Sequence, residues 1–229
     1  MQTGATPGRM TDSYHHGDLR EALLDAALAL EPGHGPLGVS LREAAGHVGV
    51  THPAAYHYFA SKEGLLVAVA ERGFSRLITA LDLELARAPD AFFAIFMLGT
   101  AYVRFAFRAQ SEFRFMYGTS PASAGPLAER HTAVLERFER AVRRAQEGGL
   151  IRPRQSERWA AMFWSAAHGL ATLAIAGALN GAPRSRTARR TASQRERRTL
   201  DLARAAMVGL IFGIKAPDST WVPRPGKRV

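Results

Sequence analysis

The sequence contains no cysteine among its 229 residues. This absence excludes disulfide bonds, thiolate metal sites and cysteine nucleophiles. The N-terminal segment, MQTGATPGRMTDSYHHGD, contains no apolar run, so it does not have the pattern of a secretory signal. We therefore expect a cytoplasmic protein. The chain is long enough to bury a sizeable core in one or two domains.

Positive charge is scarce in the first third of the chain, although the net charge is +10. Residues 1–75 carry five Lys/Arg and eight Asp/Glu, whereas residues 184–229 carry twelve Lys/Arg and three Asp/Glu. The arginine-rich run at 184–198 has no aromatic residue between its arginines. Such a run is typical of a solvated loop. The alternative is a sequence-neutral nucleic-acid-binding protein that uses this run.

Enzyme signatures are also missing from the sequence. It has no nucleophile motif and no glycine-rich loop of the kind that cradles phosphates. The histidines at 15 and 16 with Asp12 and Asp18, or His131 with His168, lack the compact spacing of a metal site on one helix face. We therefore expect no catalytic residue, no metal and no cofactor. An all-α enzyme remains a less favoured alternative.

Charged residues are absent between Trp159 and Pro183. A stretch of this length is long enough to span a membrane, which takes about 20 apolar residues. However, polar residues such as Ser165 and His168 interrupt it, and alanine is commoner there than leucine or isoleucine. Small residues allow helices to approach closely. The stretch therefore predicts a packed helix, and we expect no membrane partner.

The residues that are present form an ordered unit between Ser40 and Glu63. Apolar residues at 41, 44, 45 and 48 recur with the spacing of one helix face. Ser40 precedes this helix and Glu43 follows three residues later, which is the pattern of a capping box. Gly49 then ends the helix, because glycine adopts the left-handed conformation without strain.

A second helix is predicted from His52 to about Phe59. Thr51 is in position to cap it, and Pro53 lies in its first turn, where a missing N–H is tolerated. Ser61 is in position to cap a third helix that begins at Lys62. Two short helices joined by a glycine-containing turn have the pattern of a helix-turn-helix, whose second helix enters the DNA major groove. Two packed helices without nucleic acid are the alternative interpretation.

Residues 14–75 resemble the DNA-binding domain of the TetR family of bacterial regulators. The resemblance is carried by an ordered set of residues. These are Ser40, Ala44, Ala45, Gly49, Val50, Thr51, Tyr56, Tyr58, Phe59, Lys62, Glu63, Leu65 and Leu66. A second segment, FWSAAHGL, is similar to the Trp-x-x-x-His-Gly signature of one subfamily of ligand domains, through Trp164, His168 and Gly169. The resemblance implies a transcriptional regulator, most often a repressor.

The chemistry of the helix-turn-helix residues, together with the resemblance, predicts two groups of DNA contacts. Hydroxyl and ammonium donors would bind phosphates. These are Ser40, Thr51, Tyr58 and Lys62. Other side chains would meet base edges, as hydrogen-bonding imidazoles or as apolar partners of a thymine methyl. These are His52, Pro53, Ala54, Tyr56 and His57. Since the second helix lacks arginine, asparagine and glutamine, the sequence does not identify an operator.

The rest of the chain predicts further helices, and the fold class is all-α. Apolar residues at 19, 22, 23, 26, 27 and 30 mark a first helix that ends at residues 31–33. A long helix follows Lys62 to about Arg87, and Asp90 is in position to cap an aromatic-rich helix after it. The predicted layout is an arm at 1–13, a helix-turn-helix domain at 14–61, a connecting helix at 62–87, a ligand and dimerisation domain at 88–216 and a tail at 217–229.

The aromatic residues of the larger domain are candidates for a ligand site. The candidates are Phe96, Tyr102, Phe113, Tyr117, Trp164 and His168. Trp164 and His168 are four residues apart and share a helix face, although packing against neighbouring helices is an equally good interpretation. The resemblance implies a small-molecule effector, and the aromatic residues favour an apolar or aromatic compound. It also implies a homodimer, formed by the last two long helices, that binds a palindromic double-stranded DNA operator.

Overall fold

The computed structural model describes residues 16–118, 125–153, 155–180 and 191–214. The chain divides into two compact units, one up to Leu65 and the other from Leu66 onward. The described residues form α-helices joined by short connections, which confirms the all-α prediction. The expected N-terminal arm, residues 184–190 of the arginine-rich run and the expected tail lie outside the described residues. Residues 192–198 of that run begin a helix, so the prediction of a loop is wrong for this part.

Nine α-helices follow one another along the described part of the chain. Three lie in the first unit: α1 (His16–His34), α2 (Leu41–Val48) and α3 (His52–Tyr56). Helix α4 (Lys62–Arg87) begins in the first unit and continues in the second. The second unit then contains α5 (Ala91–Arg108), α6 (Gln110–Gly118), α7 (Ala128–Glu147), α8 (Ser156–Ile175) and α9 (Ala192–Ile214).

In the first unit, α1 buries the predicted apolar stripe against α2. Leu19, Leu23 and Ala27 are buried, and α2 contributes the buried residues Leu41, Ala44 and Ala45. The predicted end of α1 is wrong, because the helix continues through Pro32 to His34. Proline removes the backbone donor to the carbonyl four residues earlier, and the helix continues in spite of that loss. The turn is completed by the N–H of Gly35, which donates to the carbonyl of Glu31 at 2.7 Å.

Helix α5 lies at the centre of the second unit and packs against α7, α8 and α9. Phe92, Ile95 and Tyr102 are among its fully buried side chains. Of the described helices, α5 alone is long and apolar enough to cross a membrane, but 67% of it is buried inside the protein. That degree of burial is typical of a core helix. At Gly99, a Cβ atom would collide with Cγ and Sδ of Met207 on α9, so this glycine permits the close helix crossing.

Three ion pairs hold α4 to three other helices of the second unit. Arg76 pairs with Glu112 on α6. Arg137 on α7 donates from Nε and Nη2 to the two carboxylate oxygens of Asp82, at 3.1 and 2.9 Å. Arg104 on α5 donates to Glu84 at 3.3 Å. The paired fork of Arg137 is the most directional of the three. Together they fasten α4 from Arg76 to Glu84 within the second unit.

Candidate functional sites

The start of α2 has the predicted capping box. The N–H of Glu43 donates to Oγ of Ser40 at 3.2 Å, and the N–H of Ser40 donates to Oε2 of Glu43 at 3.1 Å. The serine hydroxyl itself donates to the same carboxylate oxygen at 2.6 Å. These bonds from Ser40 lower the pKa of Glu43. Since the only hydroxyl hydrogen of Ser40 is used, Ser40 can donate to a phosphate only by releasing Glu43.

The turn between α2 and α3 also has the predicted form. Gly49 has φ 79°, in the left-handed region, and the N–H of Val50 donates to the carbonyl of Ala45 at 3.0 Å. Thr51 occupies the N-cap position of α3, but its side chain makes no capping hydrogen bond. The predicted capping by the threonine side chain is therefore wrong. Thr51 is exposed, and its hydroxyl is not used to cap α3.

Helix α3 is shorter than predicted and ends at Tyr56 rather than near Phe59. Phe59, only 5% exposed, lies beyond this end and is part of the core of the first unit. Ala55 is the buried residue of α3, whereas His52, Pro53, Tyr56 and His57 are exposed. We call these four exposed residues the α3 surface.

The α3 surface is rich in rings that can donate and accept hydrogen bonds. The ring centroids of His52 and Tyr56 are 4.6 Å apart in an edge-to-face arrangement. His57 makes a similar contact with half-buried Tyr58, at 5.5 Å. Ala54 is also half-buried beside them. Because α3 buries one alanine and exposes several polar rings, it contributes little to the packing of the first unit. Its composition favours a surface that contacts another molecule.

Helix α4 begins beside this region within the first unit. Ser61 caps it as predicted, because Oγ of Ser61 accepts from the N–H of Gly64 at 3.1 Å. Lys62 donates from Nζ to the carbonyl of Leu37 at 2.5 Å. An ammonium group has three donors, so this bond fixes Lys62 in position and leaves further donors for a phosphate.

In the second unit, five of the six predicted ligand residues lie together with three others. We call this group the ring cluster. It consists of Phe74, Tyr102, Phe113, Tyr117, His131, Phe138, Trp164 and His168. Tyr117 and His168 are central, with their ring centroids 4.6 Å apart. Most other ring contacts in the group span 4.8–6.3 Å, within the range of favourable aromatic pairs.

A chain of hydrogen bonds links three residues of the ring cluster. The hydroxyl of Tyr102 donates to that of Tyr117 at 2.8 Å, and lies 2.9 Å from Nδ1 of His168. Burial raises the pKa of both tyrosines, and it lowers the pKa of His168. Burial likewise lowers the pKa of His131. All four groups are therefore uncharged near neutral pH.

Two ring nitrogens of the cluster are buried without a hydrogen-bond partner among the described residues. They are Nε1 of Trp164 and Nε2 of His131. The indole N–H is close enough to lower the pKa of the two tyrosine hydroxyls, but it does not reach hydrogen-bond geometry with either. Buried polar groups in proteins are nearly always satisfied, so these two atoms are exceptions among the described residues.

Phe96 is the predicted ligand residue that the structure places elsewhere. Its ring contacts are with Phe92 and Phe93, each 6.2 Å away between centroids. Residues six positions apart on a helix lie roughly 120° apart around its axis, so Phe96 and Tyr102 occupy different faces of α5. Conversely, the sequence prediction of ligand residues omitted His131. Its spacing of seven residues from buried Phe138 is the signal that would have placed both on one face of α7.

The described residues contain no group of three or more His, Asp or Glu side chains arranged to hold a metal ion. The histidines at 15 and 16, with Asp12 and Asp18, lie outside the described side chains.

Comparison with known proteins assigns both units to related domains. The family described as "Bacterial regulatory proteins, tetR family" matches residues 23–69, and the one described as "Tetracyclin repressor-like, C-terminal domain" matches residues 95–194. The HTH-type transcriptional regulator BetI of Rhizobium meliloti (strain 1021) is 49% identical over 49 residues, which are 21% of this chain and 24% of BetI. The chain thus matches about a quarter of that relative.

Similarity to solved structures extends over most of the chain. A protein of unknown function from Rhodococcus sp. RHA1 has a TM-score of 0.72 and 33% identity, with 89% of this chain and 98% of that one covered. A bacterial regulatory protein in the tetR family from Rhodococcus RHA1 has a TM-score of 0.66 and 17% identity, with coverage of 87% and 98%. The matches at both ends and the shared fold establish that the chain belongs to the TetR family of bacterial regulators.

Proposed function

We propose that this TetR-family protein is a repressor that binds a palindromic operator as a homodimer and is released by a small, mostly apolar or aromatic effector. The α3 surface and Lys62 would contact DNA, and the ring cluster would bind the effector. The protein would act in the cytoplasm, where its operator is. The observation that carries the proposal is a helix-turn-helix whose second helix exposes four polar or ring-bearing residues and buries a single alanine.

The α3 surface supports specific DNA binding through its chemistry. Imidazole and phenol groups donate to and accept from base edges, and Pro53 offers an apolar contact for a thymine methyl. The first unit has few cations, with four Lys/Arg among residues 1–65. Its affinity therefore depends on geometry and base contacts more than on bulk charge, and the salt dependence should be shallow.

Two substitutions separate phosphate contacts from base contacts. Lys62→Ala should weaken binding to all sequences alike, because it removes a phosphate partner. Tyr56→Ala should instead change which bases are preferred, by about 1–3 kcal/mol at the affected position. Fluorescence anisotropy with the DNA upstream of the coding region, and with randomised DNA, measures both effects. Arg143→Ala, an exposed change in the second unit, is the control and should leave affinity unaltered.

The same titration decides between the proposal and its alternatives. Equal affinity for upstream and randomised DNA at every salt concentration would favour a sequence-neutral protein that uses residues 184–198. Binding to neither DNA would reject the assignment of the α3 surface. Unchanged affinity of Lys62→Ala at moderate salt would reject the placement of the start of α4 against the phosphate backbone.

Exposed apolar side chains on the last helices support a homodimer. Leu202 and Phe212 on α9 are 37% and 49% exposed, and with Ala205 and Gly209 they share one exposed helix face. Leu173 on α8 is 47% exposed. A contiguous exposed apolar face is typical of an interaction surface. Phe212→Glu should convert the dimer to a monomer, as measured by light scattering after size exclusion; a monomeric wild-type chain would contradict this arrangement.

Release by an effector requires that the effector bind the two conformations of the protein unequally. A compound that fills the ring cluster and prefers the DNA-incompetent form would lower operator affinity. A panel of aromatic compounds, screened for loss of anisotropy from the protein–operator complex, tests this role. His168→Ala should change the dose of an active compound needed for release. An unchanged dose would show that the compound acts elsewhere.

A further inference from the structure

The ring cluster contains more hydrogen-bond donors than its own acceptors satisfy. With Tyr102 donating to Tyr117, the oxygen of Tyr102 accepts from Nδ1–H of His168, and the hydroxyl hydrogen of Tyr117 has no acceptor within the chain of bonds. With the direction of the chain reversed, the N–H of His168 moves to Nε2 and becomes the donor without an acceptor. Either arrangement leaves one donor free.

Trp164 adds a second donor at the same place. Its indole group can only donate, and its Nε1 is buried without a partner among the described residues. The centroid of its ring is 5.5 Å from His168 and 6.3 Å from His131. The free donors thus converge between rings of α6, α7 and α8, and they call for an acceptor oxygen.

The surroundings of these donors disfavour a charged acceptor. The two histidines and two tyrosines are neutral near neutral pH, because burial opposes their ionisation. Glu112, an acid, is the one charged side chain that is buried among the described residues of the second unit. A carboxylate bound here would lose its hydration without gaining a cation, which is strongly unfavourable.

The shape of the site favours a flat ligand. Tyr117, His131, Trp164 and His168 are each partly exposed, so the cluster is not completely enclosed by the described residues. Phe113 and His168 lie with their planes 33° apart, and Trp164 and His168 with theirs 35° apart. A flat aromatic ring that packed against the outer faces of these rings would lie at the usual centroid spacing of about 4.5–7 Å.

We infer that the ring cluster binds an uncharged aromatic molecule with a carbonyl oxygen, which accepts hydrogen bonds from Trp164 Nε1–H and from the free donor of the Tyr102–Tyr117–His168 chain. This inference rests on the proposed function, since it specifies the chemical class of the effector. A ligand that lacks an acceptor should bind less tightly, because the donors stay unpaired. An anionic ligand should bind less tightly, because the site supplies no counter-ion.

Three probes of one shape test the inference: 2-acetylnaphthalene, 2-naphthoate and 2-ethylnaphthalene. Binding to the full chain, without DNA, is measured by ligand-detected NMR. The acetyl compound should bind about tenfold more tightly than the ethyl compound, the factor expected for one to two hydrogen bonds. It should also bind more tightly than the naphthoate. A preference for naphthoate, equal affinities, or no binding of any probe would overturn the inference.

Substitutions then locate the donors. Trp164→Phe keeps an aromatic ring and removes the indole N–H, so the preference for acetyl over ethyl should fall to about threefold or less, with ethyl binding little changed. Trp159→Phe, on the same helix but outside the ring cluster, is the matched control and should keep the full preference. Tyr117→Phe removes a different donor and provides a second test if Trp164→Phe does not fold. An undiminished preference in the folded variants would place the site elsewhere.

Release of the operator by these compounds is measured separately. If 2-acetylnaphthalene binds with the expected selectivity but does not release the operator, the chemical class of the site stands and the proposed effector role fails. If an unrelated anionic compound releases the operator through the ring cluster, the effector role stands and the chemical class is wrong.

Discussion

Gly99 provides a test of how closely α5 and α9 must pack. A Cβ at this position would overlap Cγ and Sδ of Met207, a side chain with no exposed surface. Gly99→Ala therefore overpacks the crossing and should lower the free energy of unfolding by about 1–3 kcal/mol. Met207→Ala leaves a cavity at the same place and should lower it by about 2–5 kcal/mol.

The double variant distinguishes this explanation from a general loss of stability. With Met207 truncated, the new methyl group of Gly99→Ala occupies space that the methionine has left. The double variant should therefore be more stable than the sum of the single effects predicts, by at least about 1 kcal/mol. Urea unfolding followed by circular dichroism measures all four proteins at one fixed concentration, because stability of a dimer depends on concentration. Additivity within about 0.5 kcal/mol would refute the proposed overlap.

Three further predictions concern single interactions in the second unit. Tyr102→Phe should destabilise the protein by about 1–3 kcal/mol, because it leaves half-buried Tyr117 and His168 without their shared partner, whereas Tyr117→Phe should cost less. Equal losses in urea unfolding would contradict this ranking. Arg137→Met removes a two-pronged ion pair in which the arginine is 17% exposed, and it should cost more than Arg143→Met, whose arginine is 62% exposed. The folded pKa values of His131 and His168 lie below the ordinary value of 6.5, so their neutral forms contribute stability that is complete above about pH 6.5 and is lost as pH falls through the folded values. Thermal unfolding between pH 8 and pH 5 should show this loss as a falling melting temperature. If the melting temperature of the double variant His131→Asn with His168→Asn fell equally with pH, the two histidines would be excluded as the source.

The sequence was sufficient to predict structural features that depend on a few neighbouring residues. The capping box of Ser40 and Glu43, the left-handed Gly49 and the limits of α4 at Lys62 and Arg87 were all predicted correctly. Each depends on hydrogen bonds or periodicity within one or two turns, so the local pattern contains the necessary information.

Predictions that depended on contacts distant in sequence were less accurate. Helix α3 ends before Phe59, which is buried in the first unit, and α1 continues past Pro32 although proline often ends a helix. The ring cluster was predicted in part, since spacing alone placed Trp164 beside His168. Spacing did not reveal that α7 brings His131 to the same place, because the position of α7 depends on how four helices pack. The proposed roles of the DNA and ligand residues remain predictions.

The division of the chain at Leu65 and Leu66 has an evolutionary consequence. The residues proposed to select DNA and those proposed to select the effector lie in different units and have no member in common, and α4 is the one helix shared by both. A mutation in one of these groups therefore changes no side chain of the other. New pairings of operator and signal can arise by separate mutational steps or by recombination near this boundary, provided that the ion pairs of α4 are retained. Such a chain can acquire a new signal without first losing its genomic target.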